Sequence, residues 1–149
     1  EARQQRICSR SWLTLSLASA PSKQQKAPQN LVYLYDKREY VFINNKKTWS
    51  EAQSYCREHY TDMASVRNEN EREMVYAAGK DNHFWIGLSK DINNTWKWSD
   101  QSSSSFRYWN SNQPDNTYNT NCAAASVKDQ GQWHNIECGE QRPFICHEI

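Results

Sequence analysis

Long hydrophobic runs are missing from this 149-residue sequence. Nothing approaches the roughly 18 apolar residues that a bilayer-spanning helix needs, so no membrane span is expected in the chain. Charge of one sign is equally scarce. Lys and Arg number 18 against 17 Asp and Glu, a formal net charge of +1. No basic stripe interleaves with the aromatics, so a nucleic-acid partner has no electrostatic footprint. The sequence has no CxxC pair, no HExxH, no nucleophile elbow, no phosphate loop and no internal repeat. Each catalytic class that depends on one of those motifs is therefore without support, and no enzyme is expected. The four histidines, His59, His83, His134 and His147, are dispersed and give no structural-zinc spacing.

Rings are what the chain does have. Seven Trp, eight Tyr and four Phe make 13% aromatic content within a hydrophobic fraction of only 37%. A few large side chains must supply much of the buried area. The length suits one domain plus an appendage, and the Asn-, Ser- and Gln-rich remainder suits a loop-rich surface. Cysteine comes as five residues. Cys56, Cys122, Cys138 and Cys146 lie in the later two-thirds and Cys8 stands apart. The four later thiols allow three pairings, among which spacing does not choose. Widely spaced cysteines favour disulfides and an oxidising compartment, hence a secreted or extracellular protein.

The start of the chain agrees with that compartment. Arg3, Arg6 and Arg10 precede the short apolar stretch 12–18, and Ala18-Ser19-Ala20 has the small-x-small form of a cleavage site. Residues 1–20 thus read as a signal-peptide-like or leader segment, with a disordered leader or the tail of a preceding domain as the alternatives. Cleavage after Ala20 would remove Cys8 and the odd count. Residues 21–35 read as a linker, turning to Pro, Lys, Gln and Ser.

Regular pattern follows. The spacing predicts a strand at Tyr40–Ile43, broken by Asn44-Asn45-Lys46-Lys47. Thr48-Trp49-Ser50-Glu51 is a capping box that opens a helix with Ala52, Tyr55, Cys56 and His59 on its buried face. A second helix is predicted over Glu69–Ala78, with Asn68 as N-cap, Gly79 as its C′ residue and Met74, Val75 and Ala78 turned inward. Strands are expected at Phe84–Leu88, Thr95–Trp98, Cys122–Val127, Gln132–His134 and Pro143–Cys146. Residues 99–121 carry little pattern. A loop of about 20 residues is either functional or disordered, and its embedded Phe106, Tyr108 and Trp109 argue that it packs. Asn93-Asn94-Thr95 is an N-glycosylation sequon on Asn93.

These motifs, in this order, resemble the C-type lectin-like domain family, in the style of its fish members. Trp49-Ser50-Glu51-Ala52-Gln53 with Tyr55-Cys56, Trp85-Ile86-Gly87-Leu88 and Trp98-Ser99-Asp100 come first. Gln113-Pro114-Asp115, Asn121-Cys122, Trp133 and Phe144-Ile145-Cys146 follow. The likeness covers residues 36–149. It implies an α+β domain of two helices, two small antiparallel sheets and a long loop region. It also implies the disulfides Cys56–Cys146 and Cys122–Cys138, and a binding surface on the long loop.

Sugar-binding members hold one Ca2+ on that loop, where it also takes two sugar hydroxyls. Calcium needs six to eight oxygens, several of them charged. The resemblance puts its ligands at the tripeptide Gln113-Pro114-Asp115, two residues before Cys122, and just after Trp133. The amide-first tripeptide goes with galactose-type selection. Thr120, however, stands where a Glu is expected, and His134-Asn135 where Asn-Asp is expected. Of three expected carboxylates Asp115 remains. The candidate metal ligands are therefore Gln113, Asp115 and Asn135, with Ca2+ as the implied cofactor. The wider ligand-binding set adds Tyr108, Trp109, Asn121 and His134. Tyr108, Trp109 and Tyr118 are the rings expected to be exposed for stacking, and Trp49, Trp85 and Trp133 the rings expected in the core.

The expected function is an extracellular carbohydrate- or ligand-recognition module with a degraded calcium site. Its partner would be a glycan, galactose-type included, or a cell-surface protein. A calcium-dependent galactose-type lectin is the alternative, ahead of a protein-binding receptor domain or a type II antifreeze-like ice binder.

Overall fold

The computed structural model describes residues 38–149. The leader, the linker and Cys8 lie outside the described residues. In chain order the elements are β1 (Glu39–Lys47), α1 (Trp49–His59), β2 (Asp62–Met63), α2 (Glu69–Ala78), β3 (Phe84–Lys90), β4 (Trp96–Trp98), β5 (Cys122–Ser126), β6 (Gln132–Ile136) and β7 (Arg142–Glu148).

Both helices start where their caps place them. The Thr48 hydroxyl accepts from the Glu51 amide and the Glu51 carboxylate accepts from the Thr48 amide, which satisfies two of the unpaired donors at the end of α1. Asn68 caps α2 by accepting from the Glu71 amide at 2.8 Å. The buried stripe of α1 is Trp49, Ala52 and Cys56. Tyr55 is half-buried and His59 exposed, so the inward face sits one step N-terminal of the predicted one. Gly79 differs too. It closes α2 in extended conformation (φ −71°) with its amide on the Val75 carbonyl, not as a left-handed C′ residue. A Cβ there would lie 2.4 Å from the Phe84 ring. Close packing, not turn conformation, calls for glycine at that position.

The strands form one path, β1-β7-β3-β5-β6, with β2 on β7 and β4 on β3. Two antiparallel groups, β1-β7-β2 and β4-β3-β5-β6, meet at a single parallel bridge, Trp85↔Phe144. Asn44–Lys47 does not break β1. The strand continues through a register irregularity to pair Lys47 with Arg142, so tertiary pairing overrides weak strand propensity.

Alternation along the central strands fills two cores. Phe84, Ile86 and Leu88 of β3, Ala123 and Ala125 of β5 and Ile145 of β7 face one core, with Val75, Trp98 and Trp133. Trp85, Ala124, Phe144, Cys146 and Cys122 face the other, beneath Trp49, Ala52 and Cys56 of α1. Strands buried on both faces read as unbroken apolar runs, as 84–88 does. Gly87 interrupts that run because its amide donates to the Ala64 carbonyl at 2.8 Å and a Cβ would lie 2.9 Å from the same oxygen. The buried indoles are satisfied: Trp49 donates to the Ile86 carbonyl and Trp85 to the Lys47 carbonyl, both at 2.9 Å.

Disulfides Cys56–Cys146 and Cys122–Cys138 tie the ends of this frame at sequence separations of 90 and 16. The first joins α1 to β7. The second pins the end of the long loop. In the chain-entropy picture they contribute about 4–5 and about 3 kcal/mol respectively.

Candidate functional site

The segment between β4 and β5 has almost no regular structure, yet it is anchored at three places. At its start, Ser99 donates to the buried Asp62 carboxylate at 2.6 Å, and Arg57 reaches both Asp62 (3.2 Å) and the Ser99 carbonyl (2.8 Å). Asp100 accepts from Ser65 at 2.7 Å and from Arg38 at 3.1 Å. Burial pushes the Asp100 carboxyl up, but hydrogen bonds from Ser65 and Ser102 and the Arg38 charge outweigh it and leave it below the usual range. Burial likewise pushes Glu71 up, and its bonds to Arg67 together with the Arg38 charge bring it down. The motif Trp98-Ser99-Asp100 is thus an internal clamp. The pairing of Arg38 with Glu71 has no mark in the sequence, because a buried charge pair between distant segments leaves no periodic signal.

In the middle, rings hold the loop. Trp109 forms a bridge with Trp133, and the Asn110 amide donates to the Trp133 carbonyl while the Trp133 amide donates to Tyr108, both at 2.9 Å. Trp109 lies 4.9 Å from Trp96 and 5.7 Å from Trp133 between ring centroids. Tyr108 is half-buried with the Arg72 guanidinium 4.7 Å above its ring. Tyr108 and Trp109 are half-buried and pack as a lid on the first core. Tyr118 is the loop ring that stands out, 92% exposed. Trp49, Trp85 and Trp133 are buried.

The tripeptide forms the third anchor. Gln113-Pro114 is a cis peptide, and its two flanking side chains converge on Asn135, which is only 7% exposed. The Asn135 Oδ1 accepts from the Asp115 amide at 3.0 Å. Its Nδ2 donates to the Asp115 carbonyl (3.0 Å), to Asp115 Oδ1 (3.3 Å), to the Thr120 carbonyl (3.0 Å) and to Thr120 Oγ1 (2.8 Å). Backbone carbonyls around one end and a backbone N–H at the other fix which way the amide points. The Asn135 backbone N–H donates to Gln113 Oε1 at 3.3 Å. Gln113, Asp115 and Asn135 thus lie together with Thr120, and the four satisfy one another.

This donor set is a poor fit to calcium. The cluster holds one carboxylate, Asp115, whose oxygen also accepts from the Thr117 amide at 3.0 Å. Bonds from the Thr117 amide and hydroxyl hold that carboxyl below its usual range. At the centre stand the N–H groups of Asn135, which repel a cation where an oxygen would be required. Thr120 Oγ1 donates to the Thr117 carbonyl at 2.7 Å.

Two predicted site residues lie elsewhere. The Asn121 carbonyl accepts from the Lys90 amide at 2.8 Å, a backbone role. His134 faces away from the tripeptide: its Nε2 lies 2.9 Å from Asp129 Oδ2 and 3.4 Å from Asn110 Nδ2, with the His83 ring 5.0 Å away. The sequon residue Asn93 is exposed in a turn, its amide donating to Asp91. An open hollow of about 610 Å³ beside β4 is lined by Trp96, Trp98, Ser102, Ser104 and Arg107 among others. Among the described residues, no helix is long and apolar enough to cross a membrane.

Known proteins place this arrangement. Residues 45–148 match the family described as Lectin C-type domain. The human C-type mannose receptor 2 is 31% identical over 102 residues, a match spanning 66% of this chain and 7% of that protein's length. Human lithostathine superposes with a TM-score of 0.68 at 25% identity, covering 73% of this chain and 81% of its own. A calcium-independent type II antifreeze protein superposes at 0.70 with 20% identity, covering 75% and 86%, a likeness of fold.

Proposed function

This chain belongs to the Lectin C-type domain family, and from that premise we propose that it is an extracellular recognition module whose long-loop face binds a glycan or a cell-surface protein without calcium. The observation that carries the reading is the Asn135 amide, which fills the centre of the Gln113–Asp115–Thr120 cluster with its own hydrogen bonds. A cation entering there must break those bonds and would meet one carboxylate. Tyr118 and the exposed edge of 111–119 offer the contact surface, with a ring suited to packing on a sugar face. Two disulfides suit an oxidising compartment, and the exposed Asn93 sequon suits N-glycosylation there. We assign the domain no reaction.

The Gln113-Pro114-Asp115 tripeptide favours a second reading, calcium-dependent binding of galactose-type glycans. One experiment separates them. Labelled, oxidised protein is applied to intact cells and to a panel of galactose- and mannose-terminated glycans, each with millimolar calcium and with a chelator. Equal binding in both media is expected, reduced by Tyr118→Ala. Binding that requires calcium and is restricted to galactose-terminated glycans would replace the first reading with the second.

A further inference from the structure

We infer that His83, Asp129 and His134 form a binding site for a divalent transition metal of the zinc class. One ligand atom from each lies within 4.8 Å of the others. His134 Nε2 is 2.9 Å from Asp129 Oδ2, and the His83 and His134 rings meet edge to face at 5.0 Å between centroids. All three side chains are half-buried, open enough for an ion to enter.

Backbone pairing builds the cluster from separate parts of the chain. His83 immediately precedes β3, Asp129 sits in the β5–β6 turn, and His134 is central in β6. Phe84 pairs with Ala125 and Ala124 with His134, while the Val127 amide donates to the Asp81 carbonyl at 3.2 Å. The turn is closed by Gly131 N–H to the Ser126 carbonyl at 2.7 Å and Gln132 N–H to Asp129 at 3.1 Å. Along β6, Trp133 and Asn135 are buried and His134 alternates with them. The cluster therefore lies on the opposite face of the strand from the Gln113–Asn135 pocket.

The donor chemistry selects the metal. Two imidazole nitrogens and one carboxylate suit zinc-class ions, with a coordination position left open for water. Calcium, which prefers oxygen, has little to hold there. At zinc–nitrogen distances of about 2.0–2.1 Å, tetrahedral ligand atoms stand about 3.3–3.5 Å apart. The widest separation must shrink by up to about 1.3–1.5 Å and the 2.9 Å His134–Asp129 pair must open slightly, both within reach of side-chain rotation. Asn110, 3.4 Å from the same His134 nitrogen, must turn when a metal takes it. Among the described residues Arg142 is a cation near His83, and it is paired with Glu140 at 2.6 Å.

The test is calorimetric titration of the full, oxidised chain with ZnCl2, repeated on Cys8→Ser so that the odd thiol cannot supply the signal. One saturable equivalent is expected in both, with no heat when CaCl2 replaces ZnCl2. His83→Ala and His134→Ala each lower the zinc affinity about tenfold or more, and His59→Ala, at an exposed position outside the cluster, leaves it unchanged. Asp129→Asn removes the carboxylate with little change of shape, so the site remains testable if His134→Ala does not fold. Absence of saturable binding, loss of the equivalent in Cys8→Ser, or unchanged affinity in His83→Ala and Asp129→Asn would overturn the assignment.

Discussion

The central strands and the long loop are ordered by opposite means. Strands β3, β5 and β7 bury both faces, so Phe84, Trp85, Ile86 and Leu88 all contribute apolar area. Residues 101–121 have no fully buried side chain. They are held at points: the clamp of Ser99 and Asp100, the Trp109–Trp133 stack, the Asn135 amide and the Cys122–Cys138 bond. A surface fixed by a few hydrogen bonds can exchange its ligands over evolution without disturbing the fold, and it is there that we propose the chain has lost a calcium site.

The contrast can be broken from the strand side first. Trp85→Ala removes a fully buried ring whose N–H is already satisfied, and it should cost about 3–5 kcal/mol in denaturant unfolding. Asn135→Ala on the loop side should cost about 1–3 kcal/mol, the cost of stranding the Thr120 carbonyl and the Asp115 amide. It should also leave the near-ultraviolet signature of the buried tryptophans in place. Equal losses from the two substitutions would mean that the loop is as much a part of the core as the strands are.

Acid sharpens the comparison with a smaller effect. His147 on β7 is buried, with Nδ1 3.2 Å from the Met63 carbonyl and Nε2 3.9 Å from Asp100. Burial, and then the Arg38 charge, hold its pKa below the ordinary value despite Asp100 and Asp62. The unfolded chain therefore takes up this proton first. Stability from His147 is present above about pH 6.5 and is lost as pH falls through the folded pKa, with a slope of at most about 1.4 kcal/mol per pH unit. Asp100 and Glu71, also held low, add loss of the same sign below about pH 4. Unfolding midpoints at pH 7 and pH 5 should differ less in His147→Gln than in the parent. An unchanged difference would place the acid sensitivity elsewhere, His83 having the same sign.

Much of the strand frame was legible because periodicity and caps are local. The Thr48–Glu51 box and the run 84–88 announce themselves within a few residues. The disulfide pairing came from family resemblance, not from spacing. What stayed hidden was long-range. The two-residue β2 exists through its pairing with β7, and β1 runs on through Asn44–Lys47 because Arg142 lies opposite Lys47. Arg38 and Glu71 are joined only by folding. At the site, Gln113, Asp115, Thr120 and Asn135 were legible as a group, yet their mutual satisfaction was not, since sequence carries no hydrogen-bond directions. His134 shows the limit most clearly. Its position after Trp133 suggests the sugar pocket, but strand alternation turns it toward His83 and Asp129.

The central claim, that the ancestral calcium position is closed by Asn135, is tested most directly by thermal unfolding of the oxidised protein with millimolar calcium and again with a chelator. A ligand that binds only the folded state must raise the melting temperature. Superimposable curves are predicted, whereas a rise of several degrees in calcium would contradict the account and return the loop to the metal-dependent lectins.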